Sequence, residues 1–118
     1  MAKFQFEERL LIWLLDTQAF HFDWDDGNRT KNALKHGVSQ AEVEEVFRVG
    51  MALPLGAQIL PKVLEERLAV IGPTAQNRNL MVVFVLRNRK VRPISARPPN
   101  EKERRAYEKV LCEIAARV

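Results

Sequence analysis

Leu80-Met81-Val82-Val83-Phe84-Val85-Leu86 runs without a polar interruption and is rich in β-branched and aromatic residues. Such a run fits a strand buried on both faces, and so the central strand of a sheet. Arg87 to Lys90 then makes a turn, and Val91 to Arg97 returns as a partner strand. Pro93 must fall where its missing N–H is not needed. Upstream, Leu64 to Ile71 predicts a further strand, ended by Gly72-Pro73. Gly50 to Pro61 is punctuated by Pro54, Gly56 and Pro61, which predicts a loop or short irregular strands.

The flanking segments read as helices, with one more strand. Phe4, Leu11, Leu14 and Leu15 recur at helical spacing, which predicts a helix over 4–16. Ile12 and Trp13 widen its apolar face, so this helix is expected to pack on a partner or a second copy. Ala19 to Trp24 alternates, with Phe20, Phe22 and Trp24 on one side of a strand. Asp25 or Asp26 caps a following helix, and Gly37 ends it in a left-handed conformation. Ser39-Gln-Ala-Glu42 is a capping box for the next helix, whose buried face is Val43, Val46 and Phe47. Asn100 caps the last helix, where Tyr107, Val110, Leu111, Ile114, Ala115 and Val118 share a face. The order α-β-α-α-β-β-β-α reads as α+β, a meandering antiparallel sheet with helices against one face. Residues 1–19 form an N-terminal helical extension and residues 20–118 the main domain.

A chain of 118 residues is long enough for one domain with a real core. Its 47% hydrophobic and 29% charged residues are those of a folded protein. The net charge of +4 favours an anionic partner. The charge is concentrated: residues 87–109 hold nine Lys/Arg against three Glu, the footprint of a phosphate-backbone binder or a solvated basic face. Cys112 is the one cysteine, so no internal disulfide forms. The apolar run Leu10 to Leu15 is too short to span a bilayer and follows an acidic segment, and the chain reads as cytoplasmic. No zinc-ligand spacing, P-loop, dinucleotide fingerprint or nucleophile elbow occurs, and no cofactor or metal is expected.

Five pieces of sequence occur together, in order: Phe22/Trp24/Asp25, Asn32/Lys35/His36/Gly37/Val38, Glu66/Arg67, Arg92/Ile94/Ser95/Ala96/Arg97, and Glu103/Arg104/Tyr107. Over about residues 20–110 the chain resembles the BrnT toxin family of type II toxin–antitoxin pairs. The resemblance implies a RelE-like ribonuclease fold, RNA as substrate, inhibition of translation, and neutralisation by a BrnA-like antitoxin. A homodimer through the N-terminal helix and a heterotetramer with antitoxin are both open. Many members carry lysine where this chain has Asn28, with Arg29 and Lys31 nearby.

Metal-free RNA cleavage needs the 2′-hydroxyl deprotonated, the leaving oxygen protonated and the phosphorane charge stabilised. Arg97, ending a strand before Pro98-Pro99, is the candidate for the last task; the alternative is a salt bridge to a helix acid. His36 is the candidate general acid or base, or else a helix-end residue bonding a carbonyl or packing on Trp24. Lys35 is a candidate phosphate anchor, and Glu66 a candidate base or orienter unless it merely pairs with Arg67. Tyr107 is either catalytic or core, and helical geometry brings Arg104 to the same groove. Arg29, Lys31, Arg67, Arg92 and Arg104 are candidate RNA contacts. The competing function is a non-catalytic homologue that binds RNA or an antitoxin.

Overall fold

The computed structural model describes residues 2–29 and 36–116. Five antiparallel strands lie in sequence order: β1 (Lys3–Gln5), β2 (Leu53–Leu60), β3 (Leu68–Pro73), β4 (Asn79–Arg87) and β5 (Lys90–Arg97). Among the described residues there are three helices, α1 (Glu8–Asp16), α2 (Gln40–Arg48) and α3 (Glu101–Ala116). The protein is therefore α+β, with a meandering sheet.

All six residues of β3 are buried, and so are Leu80 to Val85 of β4. Strands apolar at every position need cover on both sides. The helices accordingly flank the sheet rather than sharing one face, as the sequence reading had them. On one face Leu68, Val70, Leu80, Val82 and Phe84 meet Leu10 of α1 and Val43, Val46 and Phe47 of α2. Phe47 lies edge-on to Phe84 at 5.2 Å between ring centroids, and Trp13 stacks on Phe84 at 5.8 Å. On the other face Ala69, Ile71, Met81 and Val83 are covered by Ala106 and Tyr107 of α3 and by Phe4. β3, not β4, occupies the middle of the sheet.

Three further expectations change at particular residues. Phe4 belongs to an edge strand instead of the first helix, because residues 3–5 pair with β2 and the helix starts only at Glu8. Leu10 is the buried residue of α1, while Ile12 and Leu15 stay exposed. Residues 53–60 form a full strand despite Pro54 and Gly56, since the pairing with β3 is bulged between those two. Gly56 has φ of +134°, and a Cβ there would sit 2.0 Å from the Gln5 carbonyl oxygen. No side chain fits between β2 and β1 at that point. β3 starts at Leu68, leaving Glu65, Glu66 and Arg67 in the preceding loop. On α3, Val110 is the buried residue of the expected stripe, Leu111 and Ala115 are exposed, and Val118 lies outside the described residues.

The local turn and cap chemistry is as the residues dictate. Asn88 and Arg89 take positive φ values of 52° and 65° in the two-residue β4–β5 hairpin, matching strand twist. The Ser39–Glu42 capping box is formed in both directions, and Gly37 has φ of +64°. Residues 30–35 of the helix expected from Asp25 or Asp26 to His36 lie outside the described residues. At its start the Asp25 carboxylate accepts from Gly27 N–H at 2.8 Å and the Asp25 carbonyl from Arg29 N–H at 2.9 Å, the bonds of a helix cap.

The alternating segment 19–24 reaches β5 through one parallel bridge, Phe22 to Val91. Val91 N–H donates to the His21 carbonyl and Asp23 N–H to that of Val91, both at 2.8 Å. The next rung would need an N–H on residue 93, and Pro93 has none. The side chain of Asn28 fills the gap. Its Nδ2 donates to the carbonyls of Asp23 (3.1 Å) and Pro93 (3.0 Å), and its Oδ1 accepts from Asp25 N–H (2.8 Å). Asn28 is 5% exposed, so these bonds replace water with a matched set.

Candidate functional site

Arg97 is the register partner of Met81, so its side chain leaves the sheet on the face covered by α3. Pro98 and Pro99 end the strand, and Asn100 starts α3. Asn100 Oδ1 accepts from Glu103 N–H at 2.8 Å, and Glu103 Oε1 accepts from Asn100 N–H at 2.9 Å. This capping box carries the Glu103 carboxylate to the strand end. There Arg97 donates from Nη1 to Oε1 (2.6 Å) and from Nη2 to Oε2 (2.5 Å), an end-on fork. Nη1 also reaches the Pro98 carbonyl at 3.3 Å. The Nε edge of the guanidinium has no partner among the described residues.

A cavity of about 200 Å3 opens beside this pair, lined by Arg67, Arg97, Glu103, Ser95 and Gln58 over an apolar floor that includes Met81 and Val83. A second space of about 380 Å3 adjoins it, sharing Ala2, Phe4 and Glu103. Two guanidinium groups against one carboxylate leave a net positive pocket. An Arg97 held by its two terminal nitrogens offers its side edge to an oxyanion.

Of the sequence candidates, Arg67 and Arg97 share this cavity, and Tyr107 packs half-buried on the same face of the sheet. Arg104 is exposed on α3. Glu66 pairs with Arg9 rather than Arg67 and does not line the cavity. Arg92 is drawn away from the pocket to Asp25 (2.9 Å) and Asp23 (3.7 Å), and its side chain is 15% exposed. Arg29 is exposed beside the Asn28 turn. His36 stands next to Gly37, whose carbonyl accepts from Arg78 Nη1 at 3.1 Å. Arg78 immediately precedes β4, which puts His36 at the same end of the sheet as Arg97. The two flank it from opposite sides, since Val38 belongs to the core under α2. Lys31 and Lys35 lie outside the described residues. The salt bridge to a helix acid, offered by the sequence as the alternative for Arg97, is formed, and Glu103 is that acid, with the Asn100-x-x-Glu103 spacing as its signal.

Charge pairs set the protonation of the surrounding acids. The Arg92 guanidinium, with the Gly27 N–H, holds the Asp25 carboxyl below its ordinary range. Bonding to Ser39 N–H, then to Arg78, does the same for Glu42. Arg87 lowers Glu65. Among the described residues no three His, Cys, Asp or Glu side chains gather as a cation site.

Residues 24–103 match the model of the family described as the ribonuclease toxin BrnT of type II toxin–antitoxin systems. The chain belongs to the BrnT toxin family. A ribonuclease toxin of this kind acts opposite an antitoxin, so an antitoxin partner follows from membership. No curated protein matches the chain. In this BrnT family member Asn28, Arg67, Arg97 and Glu103 fall inside the matched span, whereas Phe4, Arg104 and Tyr107 fall outside it. No helix among the described residues is long and apolar enough to cross a membrane.

Proposed function

We propose that this BrnT toxin is a metal-independent endoribonuclease of RelE-like type that blocks translation in the cytoplasm and is neutralised by a BrnA-like antitoxin. The observation that carries the reading is the cavity in which Arg67 and Arg97 converge, with Glu103 fixing the Arg97 fork. In the proposed reaction the 2′-hydroxyl loses its proton as its oxygen attacks phosphorus, and the 5′-oxygen leaves with a proton. Arg97 stabilises the charge that builds on the phosphorane, and Arg67 anchors a phosphate oxygen. Tyr107, on the same face of the sheet as Arg97, is the proposed proton carrier, and His36, on the opposite face, is left out of the reaction at this cavity. Lys35, Lys31, Arg29 and Arg104 follow the RNA backbone. Glu66, engaged by Arg9, and Arg92, engaged by Asp25, serve as supports of the local structure.

The test is induction of the wild type and Arg97→Ala without antitoxin, together with RNA cleavage by the purified proteins in EDTA. Growth arrest and cleavage lost only in the variant support the enzyme. Equal cleavage by both removes Arg97 from catalysis. Salt-sensitive RNA binding with no cleavage by either would make the protein a binding module instead.

A further inference from the structure

The space of about 380 Å3 beside the arginine pocket is lined by apolar Ala2, Phe4, Leu55, Ile59 and Ala106 and by polar Lys3, Asn100, Lys102 and Glu103. Phe4 forms the wall common to both spaces. Its strand is held down by backbone pairing to β2, at a place where Gly56 removes every atom that would push it off. Ala2 and Phe4 lie outside the span that matches the family, so this wall is contributed by the chain's own N-terminal strand.

We infer that this apolar space is a nucleobase subsite of the RNA groove, with the Phe4 ring as its stacking face. The inference rests on the proposed placement of a phosphate at Arg67 and Arg97. Three features favour a base over an apolar protein side chain. The space is continuous with a cationic pocket, as nucleotide spacing demands, and RNA alternates phosphate with flat apolar rings. An aromatic wall gives stacking without base-pair geometry, which suits a single strand. Asn100 and the Lys102 ammonium in the lining supply amide and cationic groups for base edges and the next phosphate. Residues 2–4 thus act as a specificity element, and the proton chemistry stays with the arginine side of the groove.

The experiment is an abasic scan. A short, non-cleavable 2′-O-methyl oligoribonucleotide carries one abasic nucleotide at each position in turn, and binding to the wild type is measured by anisotropy. One position should weaken binding about five- to a hundredfold when its base is removed. Phe4→Leu, which keeps apolar bulk, should bind the intact oligonucleotide weaker by the same factor and no longer respond to the abasic step. Phe4→Tyr, which keeps the ring, should behave as wild type. If no position responds in the wild type, or if the response persists in full in Phe4→Leu, the subsite is overturned. The wild-type scan decides the question even if Phe4→Leu fails to fold. Because nothing is cleaved, the result is independent of whether Arg97→Ala abolishes cleavage, so failure of the subsite and failure of the catalytic reading remain separate.

Discussion

Replacing Asn28 with alanine should cost far more than an asparagine beside an exposed turn normally would. Its amide makes three hydrogen bonds, at 2.8, 3.0 and 3.1 Å, and stands in for the rung that Pro93 cannot supply. Each bond contributes about 1 kcal/mol net, and a buried carbonyl left without a donor costs about as much again or more. Pro93 is buried and its carbonyl would be stranded, while Asp25 is exposed and its N–H regains water. The sum is about 2–4 kcal/mol. For a chain between the usual size classes that corresponds to a drop in Tm of about 8–16 °C. In urea the midpoint should fall by about 2 M with the slope unchanged. Fluorescence reports it well, because Trp24 lies in the same segment and is bonded through Nε1 to Glu44 at 2.9 Å. Asn28→Asp should be at least as costly, since it keeps the acceptor for Asp25 N–H but turns an oxygen toward two carbonyls. A midpoint within about 0.5 M of wild type for both variants would refute the account of Asn28 as the missing rung.

Gly56→Ala should release β1, because the new Cβ cannot coexist with the Gln5 carbonyl; amide exchange at residues 3–5 should lose protection, and retained protection would contradict the packing. Glu42 has a depressed carboxyl, so its contribution to stability is fully present above its ordinary value of 4.5 and is lost as pH falls through the lower folded value. The stability gap between wild type and Glu42→Gln should thus shrink on acidification, and a gap constant from pH 7 to 3 would remove the charge from the explanation. Tyr107→Phe should leave Tm unchanged, since Tyr107 packs on an apolar cluster and phenylalanine keeps the ring; if the hydroxyl carries a proton, cleavage falls by about a hundredfold or more. Arg67→Ala should weaken RNA binding and reduce the salt slope by about one, as loss of a phosphate contact does.

Sequence by itself determined the elements whose signals are local. The run Leu80–Leu86, the hairpin at Arg87–Lys90 and the caps at Ser39 and Asn100 each act within a few residues, through side-chain burial or bonds to neighbouring N–H groups. The α+β class followed from their order, and the BrnT resemblance from residues spread along the chain. Burial of β4 on both faces was also legible, and a strand so buried needs helices on each side of the sheet. Tertiary structure decided what depends on partners distant in sequence. Pro54 and Gly56 look like loop residues until a second strand is laid beside them, since their meaning lies in a bulge and a close backbone approach. Asn28 looks like a lost lysine until Pro93, 65 residues away, proves to need its amide. Arginine in a sequence is only a charge. Whether it is a free phosphate contact or a spent ion pair is set by which carboxylate the fold brings within 3 Å, as Arg92 with Asp25 and Arg87 with Glu65 demonstrate.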